Sequence, residues 1–182
     1  MSSKSKGQTL WVFDLDNTLS DGMRRFKAAG QEPNRDTQRD QYDVWLKKVM
    51  TNIHEDGPVS PMMLMFHRLY TDAFTPTIIL TARNEQHRDE TNEWLKRHFK
   101  IMPHLFMRPK SNFWPSGRLK ESLIKDLLVR FECKDAVVVD DDPLEDLKPL
   151  CSKNGWLFLK VCLPDSEQVS DSLKRSKERL KH

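Results

Sequence analysis

The stretch "WVFDLDNTLSDG", residues 11–22, places two aspartates, Asp14 and Asp16, directly after a run of apolar residues. A short, continuous apolar run predicts a strand that is covered on both faces, as in a parallel sheet. The carboxyl ends of parallel strands line the crevice in which open α/β sheets bind their ligands. The stretch therefore predicts a buried strand with two carboxylates at the ligand-binding edge of a sheet.

Apolar runs and helical patterns alternate along most of the remaining chain. The predicted strands cover residues 10–14, 77–81, 104–107, 136–140 and 156–161, and the predicted helices cover residues 40–50, 61–73, 86–99, 119–131 and 143–153. Such alternation is typical of a parallel sheet with helices on both faces. The pattern predicts an α/β, Rossmann-like fold on a parallel five-stranded sheet.

Residues 20–60 interrupt the alternation. They are polar and end in "DGPVSP", a cluster of turn-forming residues. We predict that they form a small cap inserted after the first strand. The domain itself is predicted to cover residues 9–165, with a flexible N-terminus at 1–8 and a charged helix or tail at 166–182.

The overall composition is that of a soluble globular protein, with 31% charged residues and a net charge of +3. No apolar run approaches the roughly 18 residues that a membrane span needs, so we expect no membrane association. The start of the chain lacks the apolar segment of a signal peptide. The three cysteines are scattered and form no CxxC pair, which favours a cytoplasmic location.

Polar groups that can bind a charged ligand follow three of the predicted strands. They are Asp14 with Asp16, Thr81 with Arg83, and Asp140 with Asp141 and Asp142. We expect these groups to converge, because the carboxyl ends of parallel strands lie at one edge of the sheet. An EF-hand is excluded, because its sixth and twelfth places would hold Leu19 and Arg25 instead of Gly and Glu. Aspartates in a turn and acids at a helix N-terminus remain the structural alternatives.

These residue types favour phosphate transfer. A carboxylate can attack phosphorus to give an aspartyl-phosphate, and Asp14 is the candidate nucleophile. Asp16 suits a general acid and base. Asp140 and Asp141 would complete a magnesium site with Asp14, because Mg²⁺ is held by carboxylates and offsets phosphate charge.

Two further groups would balance the remaining charge. Thr81 could donate its hydroxyl and amide to a phosphate oxygen. A lysine near the start of a helix could lie beside the nucleophile and the phosphate. The candidates are Lys120 and Lys125 in "GRLKESLIKDLL".

Taken in order, "DLDNT", "ILTAR", "LIKDLL" and "VVVDDDP" resemble the four motifs of the haloacid dehalogenase (HAD) superfamily of phosphotransferases. The resemblance covers about residues 10–163. It implies a HAD fold and a Mg²⁺-dependent phosphomonoester hydrolase. The implied catalytic residues are Asp14, Asp16, Thr81 and Lys125, and the implied metal ligands are Asp14, Asp16, Asp140 and Asp141.

Within the superfamily, "LTARNEQHRDETNEWLKRH" followed by "LFMRP" is similar to the phosphatase domains of bacteriophage polynucleotide kinases. Those domains remove 3′-phosphates from nucleic-acid ends, so the resemblance implies a phosphorylated nucleic-acid end or a nucleotide as substrate. The implied substrate-binding residues are Arg83, Arg24, Arg25, Thr18, Arg108 and Arg118. The chain departs from the subfamily at Asn17, where glycine is common, and at Glu121 and Arg118 around the third motif.

Three other functions remain open from the sequence. The first is a 5′-nucleotidase or (deoxy)nucleotide phosphatase, and the second is a protein phosphatase. The third is a noncatalytic nucleic-acid-binding module, which the basic residues in 24–39 and in the tail would favour. Phe113 and Trp114 could stack on bases or close the edge of a core.

Overall fold

The computed structural model describes residues 8–34 and 37–163. In chain order its elements are β1 (Gln8–Phe13), β2 (Ser20–Asp21), α1 (Met23–Ala29), α2 (Arg39–Val49), β3 (Gly57–Pro58), α3 (Ser60–Tyr70), β4 (Thr77–Asn84), α4 (Arg88–His98), β5 (Leu105–Arg108), α5 (Ser116–Arg130), β6 (Cys133–Asp140), α6 (Lys148–Asn154) and β7 (Leu157–Lys160). The predicted N-terminal segment, apart from residue 8, and the predicted tail at 166–182 lie outside the described residues.

The main sheet has five parallel strands in the order β5-β4-β1-β6-β7. β1 takes the centre because its apolar side chains are buried on both faces. Phe13 of β1 is level with Ile79 of β4 and with Val139 of β6. The ends of β1 and β6 therefore lie side by side, level with the middle of β4, which continues to Asn84. The predicted α/β fold with a parallel five-stranded sheet is confirmed.

Helices cover both faces of this sheet, as predicted. Phe13 packs in a core with Phe66 of α3 and Trp94 of α4 on one face. Val12, whose side chain points the opposite way, packs in a second core with Ile124 of α5 on the other face. The two cores pack against opposite faces of β1 and so fix the position of the residues that follow it.

A short antiparallel ribbon carries the insertion. Ser20 pairs with Pro58 and Asp21 with Gly57, so the two ends of the inserted segment meet at β2 and β3. Helix α2 was predicted from the sequence, whereas α1 was not. The chain turns between these helices at Gly30, whose φ of 81° suits glycine. The carbonyl of Gly30 accepts a hydrogen bond from Trp45 Nε1 at 3.0 Å, which ties α2 to the turn.

The last predicted helix begins later than expected, at Lys148 instead of residue 143. The carboxylate of Asp142 accepts hydrogen bonds from the backbone N–H groups of Asp146, Leu147 and Lys148, at 3.1–3.2 Å. Asp142 thus holds residues 143–147 as a turn ahead of α6. Within residues 8–34 and 37–163, no helix combines the length and the apolar character needed to cross a membrane.

Candidate active site

Three carboxylates meet at the carboxyl ends of β1 and β6. Asp14 and Asp140 are buried and Asp141 is half-buried, and each offers an oxygen within 4.8 Å of the others. The neighbouring register of Phe13 and Val139 accounts for this approach, because both strands end at the same level. The structure thus brings together Asp14, Asp140 and Asp141, as the sequence predicted.

Lys120 lies between two of these acids. Its Nζ is 2.8 Å from Asp14 Oδ1 and 2.6 Å from Asp140 Oδ2, and its side chain is buried. Gly117 allows α5 to come this close, because a Cβ at that position would lie 2.9 Å from Asp146. Lys120 therefore supplies a fixed positive charge beside Asp14.

The structure does not bring Lys125, the lysine that the third motif implied, to the acid cluster. Lys125 is exposed, and its Nζ pairs with Glu121 at 2.7 Å on the outer surface of α5. The helical period contains the signal that separates the two lysines. Lys120 falls on the stripe of the buried residues Ile124 and Leu127, whereas Lys125 does not.

Burial sets the charge state of the acid cluster. It raises the pKa of Asp14 to about 7, against the opposing effect of Lys120. Burial and then the neighbouring Asp140 and Asp14 raise the pKa of Asp141 as well. One lysine thus offsets only part of the negative charge of three clustered carboxylates. A hard divalent cation fits this all-oxygen donor set.

Asn17 adds a polar group at the edge of the cluster. It has a positive φ of 57°, and its Nδ2 lies 3.4 Å from Asp141 Oδ2. Among the described residues, Asn17 Oδ1 and Thr18 Oγ1 are buried polar atoms without a hydrogen-bond partner. Buried acceptors of this kind normally find a partner. Both atoms are therefore available to a ligand or a water.

Thr81 lies on β4, next to β1 in the sheet. It is 1% exposed, and its Oγ1 accepts a hydrogen bond from the backbone N–H of Arg83 at 3.2 Å. Since Ile79 is level with Phe13, Thr81 lies level with residue 15, directly after Asp14. The sheet therefore places Thr81 at the edge that carries the acid cluster.

Asp16 has a different environment from Asp14. Arg83 binds it with two hydrogen bonds, from Nε at 2.8 Å and from Nη2 at 2.6 Å. Arg25 of α1 adds a third, from Nη2 at 2.7 Å. Asp16 is not in the carboxylate group described above, which within the described residues holds Asp14, Asp140 and Asp141. The structure therefore does not bring Asp16 to the predicted metal site.

Asp56 completes a buried network of two arginines and two aspartates. It accepts hydrogen bonds from Arg25 Nε at 2.7 Å and from Ser20 Oγ at 2.8 Å, and Arg83 Nη2 lies 3.5 Å away. Arg25 also donates to the carbonyl of Val49. Asp56 was not predicted from the sequence, because an acid in the turn "DGP" looks like an ordinary solvated residue.

The network fixes the ionisation of Asp16. Burial alone would raise the pKa of Asp16, but Arg83 and Arg25 together hold it well below its usual range. Asp16 is thus an ionised carboxylate in this arrangement. Arg25 and Arg83, both predicted to bind substrate, are buried and direct their guanidinium groups at Asp16.

The other predicted substrate-binding arginines lie elsewhere. Arg24 and Arg118 are exposed, and Arg118 stacks on Trp114 with its Cζ 4.5 Å from the ring centroid. Arg108 is half-buried and donates from Nε to the carbonyl of Ala82 at 3.0 Å and from Nη1 to the carbonyl of Trp114 at 2.6 Å. Arg108 therefore fixes the loop after β5 against the end of β4.

Solved structures with the same fold were found, although no protein-family model and no curated protein matches the chain. A chain of the Pnkp1/Rnl/Hen1 complex superposes with a TM-score of 0.61 at 16% identity, over 88% of this chain and 47% of that chain. A haloacid dehalogenase-like hydrolase from Streptococcus pneumoniae gives a TM-score of 0.60 at 13% identity, over 90% of each chain. A related hydrolase from Bacteroides fragilis gives 0.63 at 10% identity, over 89% of this chain and 93% of that chain.

These likenesses show the fold. The chain has the fold of the haloacid dehalogenase-like hydrolases, which the sequence motifs predicted. It spans less than half the length of the matched chain of the Pnkp1/Rnl/Hen1 complex.

Proposed function

We propose that the protein is a Mg²⁺-dependent phosphomonoester hydrolase that acts through an aspartyl-phosphate, and that its substrate is a 3′-phosphorylated polynucleotide end. The observation that carries the proposal is the position of Asp14. Asp14 lies at the tip of the central strand, 2.8 Å from a buried lysine and within one group of three carboxylates. Neither a turn aspartate nor a helix cap requires such surroundings.

In the first step, an oxygen of Asp14 forms a bond to phosphorus as the bond from phosphorus to the leaving oxygen breaks. In the second step, water attacks the phosphorus and releases Asp14 and phosphate. Lys120 lowers the cost of bringing a phosphate dianion to a carboxylate, because its charge is already in place. Thr81 donates its hydroxyl to a phosphate oxygen.

Asp14, Asp140 and Asp141 would hold the cation. When bound, Mg²⁺ supplies positive charge that offsets the carboxylates and the phosphate and helps to orient the reacting group. Asn17 keeps Asp141 turned toward the other acids through its amide, and its free acceptor oxygen suits a water of the cation.

Asp16 moves the protons. As an ionised carboxylate it is suited to take a proton from the water that attacks the aspartyl-phosphate. To give a proton to the leaving oxygen in the first step, Asp16 must first take up a proton from solvent, which it can do only when one of its two arginines turns away. A substrate phosphate that draws Arg25 or Arg83 toward itself would allow this, so the two arginines would act on substrate and on Asp16 in turn.

Charge supports a polynucleotide as substrate. Residues 94–120, which run from α4 through β5 to the start of α5, contain seven lysines and arginines and no aspartate or glutamate. Lys110 and Arg118 of this segment follow β5 and so lie at the carboxyl edge of the sheet, where positive charge suits a chain of phosphates. The likeness to a chain of an RNA repair complex points the same way, at a TM-score of 0.57 and 15% identity over 88% of this chain and 44% of that chain.

The test is a phosphate-release assay with and without Mg²⁺. The panel contains 3′-phosphorylated and 5′-phosphorylated oligonucleotides, mononucleotides and phosphopeptides. We expect release from the 3′-phosphorylated strands, dependent on Mg²⁺ and absent in Asp14→Asn. Release from phosphopeptides alone would identify a protein phosphatase. Binding of oligonucleotides without release from any substrate would identify a noncatalytic module.

A nucleotide phosphatase is the second candidate, and the insertion favours it. Arg25, on the insertion, bonds directly to Asp16 beside the site, so the insertion lies close over the reacting groups. A close cover suits a small substrate. Faster release from mononucleotides than from 3′-phosphorylated strands would select this candidate.

A further inference from the structure

Two neighbouring aromatic side chains are exposed on the loop between β5 and α5. Phe113 is 56% exposed and Trp114 is 41% exposed. They therefore do not close the edge of a core, which was one of the two interpretations that the sequence left open. Large exposed aromatic groups beside a ligand site often mark a binding surface.

An arginine stacks on each ring. Arg118 Cζ lies 4.5 Å from the centroid of Trp114, and Arg39 Cζ lies 4.8 Å from the centroid of Phe113. Asp43, one turn along α2, pairs with Arg39 at 3.3 Å and holds it in place. We call Phe113, Trp114, Arg39 and Arg118 the aromatic shelf. Its members come from the insertion, from the loop and from the start of α5, and together they present planar faces with positive charge.

The aromatic shelf is attached to the site on two sides. Arg108 bonds both to the carbonyl of Ala82, between Thr81 and Arg83, and to the carbonyl of Trp114. On the other side, Trp114 lies six residues before Lys120, whose Nζ contacts Asp14. The shelf is therefore at the carboxyl edge of the sheet, beside the acid cluster.

The charge around the shelf selects a polyanion. The loop itself, residues 109–115, contains one lysine and no aspartate or glutamate, and two arginines stack on its rings. An aromatic face stacks with any base, while arginine both stacks and pairs with phosphate. An apolar peptide would use the rings but not the positive charge of the two arginines. A single strand of nucleic acid uses both.

We propose that the aromatic shelf stacks the bases of the two unpaired nucleotides next to the terminal phosphate. This rests on the proposed function for the position of the phosphate. It goes further by assigning a subsite that recognises bases in single-stranded form and is distinct from the acid cluster that handles the phosphate. A duplex end would have to fray before its last bases could reach the shelf.

The experiment compares two 3′-phosphorylated single-stranded hexamers that differ only at the last two nucleotides. One carries bases there and the other is abasic, so their backbone charges are equal. We expect the wild type to bind the strand with bases about tenfold more tightly by fluorescence anisotropy, since a tenfold change corresponds to about 1.4 kcal/mol, within the range for base stacking. The double variant Phe113→Ala/Trp114→Ala should lose this preference, and Trp114→Phe should retain most of it.

Phe74→Ala is the matched control, because Phe74 is 78% exposed but precedes β4 and so lies at the opposite edge of the sheet. It should keep the full preference. Equal binding of the two hexamers by the wild type, or an undiminished preference in the double variant, would overturn the proposal. Binding does not need turnover. A base preference in a protein that releases no phosphate would support the shelf and reject the proposed activity. Phosphate release from both hexamers at the same rate, with the same binding affinity for each, would support the proposed activity and reject the shelf.

Discussion

Replacing Asp56 with asparagine tests the buried network directly. Arg25 and Arg83 bring two positive charges into the network, and Asp16 and Asp56 bring two negative charges. Asp56→Asn keeps the shape of the side chain but leaves one positive charge uncompensated. Arginine cannot release its proton, so the imbalance persists in the folded protein. Removing one partner of a buried ion pair typically lowers the free energy of unfolding by about 3–5 kcal/mol. This is a large share of the usual total of about 5–15 kcal/mol.

The assay is urea unfolding followed by tryptophan fluorescence. Trp94 is fully buried, and its Nε1 donates to the backbone carbonyl of Asp56 at 2.8 Å, so it reports on this region. We expect Asp56→Asn to lower the free energy of unfolding by about 3 kcal/mol or more. Asp43→Asn breaks the exposed pair with Arg39 and should cost less than about 1 kcal/mol.

A second variant separates charge from packing. Arg25→Gln together with Asp56→Asn removes one charge of each sign, so the double variant should be more stable than the sum of the two single losses predicts. If Asp56→Asn costs no more than Asp43→Asn, or if the losses in the double variant simply add, the network is not held by charge balance and the explanation for Asp16 fails with it.

The remaining predictions concern the acid cluster. Lys120→Met should reduce the rate of phosphate release by on the order of a hundredfold or more. Lys125→Met should release phosphate within about twofold of the wild-type rate in the same kinetic assay. Similar losses of rate in the two variants would contradict the placement of Lys120. Asp14→Asn should abolish release while circular dichroism shows an intact fold, and wild-type turnover would exclude Asp14 as the nucleophile. Saturating Mg²⁺ should raise the Tm by about 5 °C or more in a thermal scan, and Asp141→Asn should lose most of this shift; an equal shift in both proteins would place the cation elsewhere.

The sequence predicts the sheet well because each strand is a continuous apolar run. The run "AVVVD" predicted residues 136–140, and β6 extends this run at its start, over Cys133–Asp140. Such runs are buried on both faces and carry little ambiguity. Helix α1 was missed because its seven residues, "MRRFKAA", are too short to show a helical period and carry neither a side-chain cap nor an acid in the first turn.

Part of the candidate site could also be predicted from the sequence, and part could not. The acids at strand ends were predictable, because the topology of a parallel sheet brings strand ends together whatever the loops do. The network around Asp16 was not, because Asp56 reaches it from the far end of an insertion, 40 residues later in the chain. The separation of Lys120 from Lys125 depended on which face of α5 packs inward, and the buried stripe through Ile124 was the available signal.

The ribbon of β2 and β3 has a consequence for protein engineering. It brings the two ends of the insertion together, so the segment from Ser20 to Pro58 leaves and rejoins the scaffold at one place. The segment carries Arg25 and Asp56, while the scaffold keeps Asp16 and Arg83. Each part therefore contributes one positive and one negative charge to the buried network. Replacing the whole segment removes Arg25 and Asp56 together, a pair with no net charge. A cap of another shape can therefore be grafted onto this scaffold without leaving an unpaired charge in its interior.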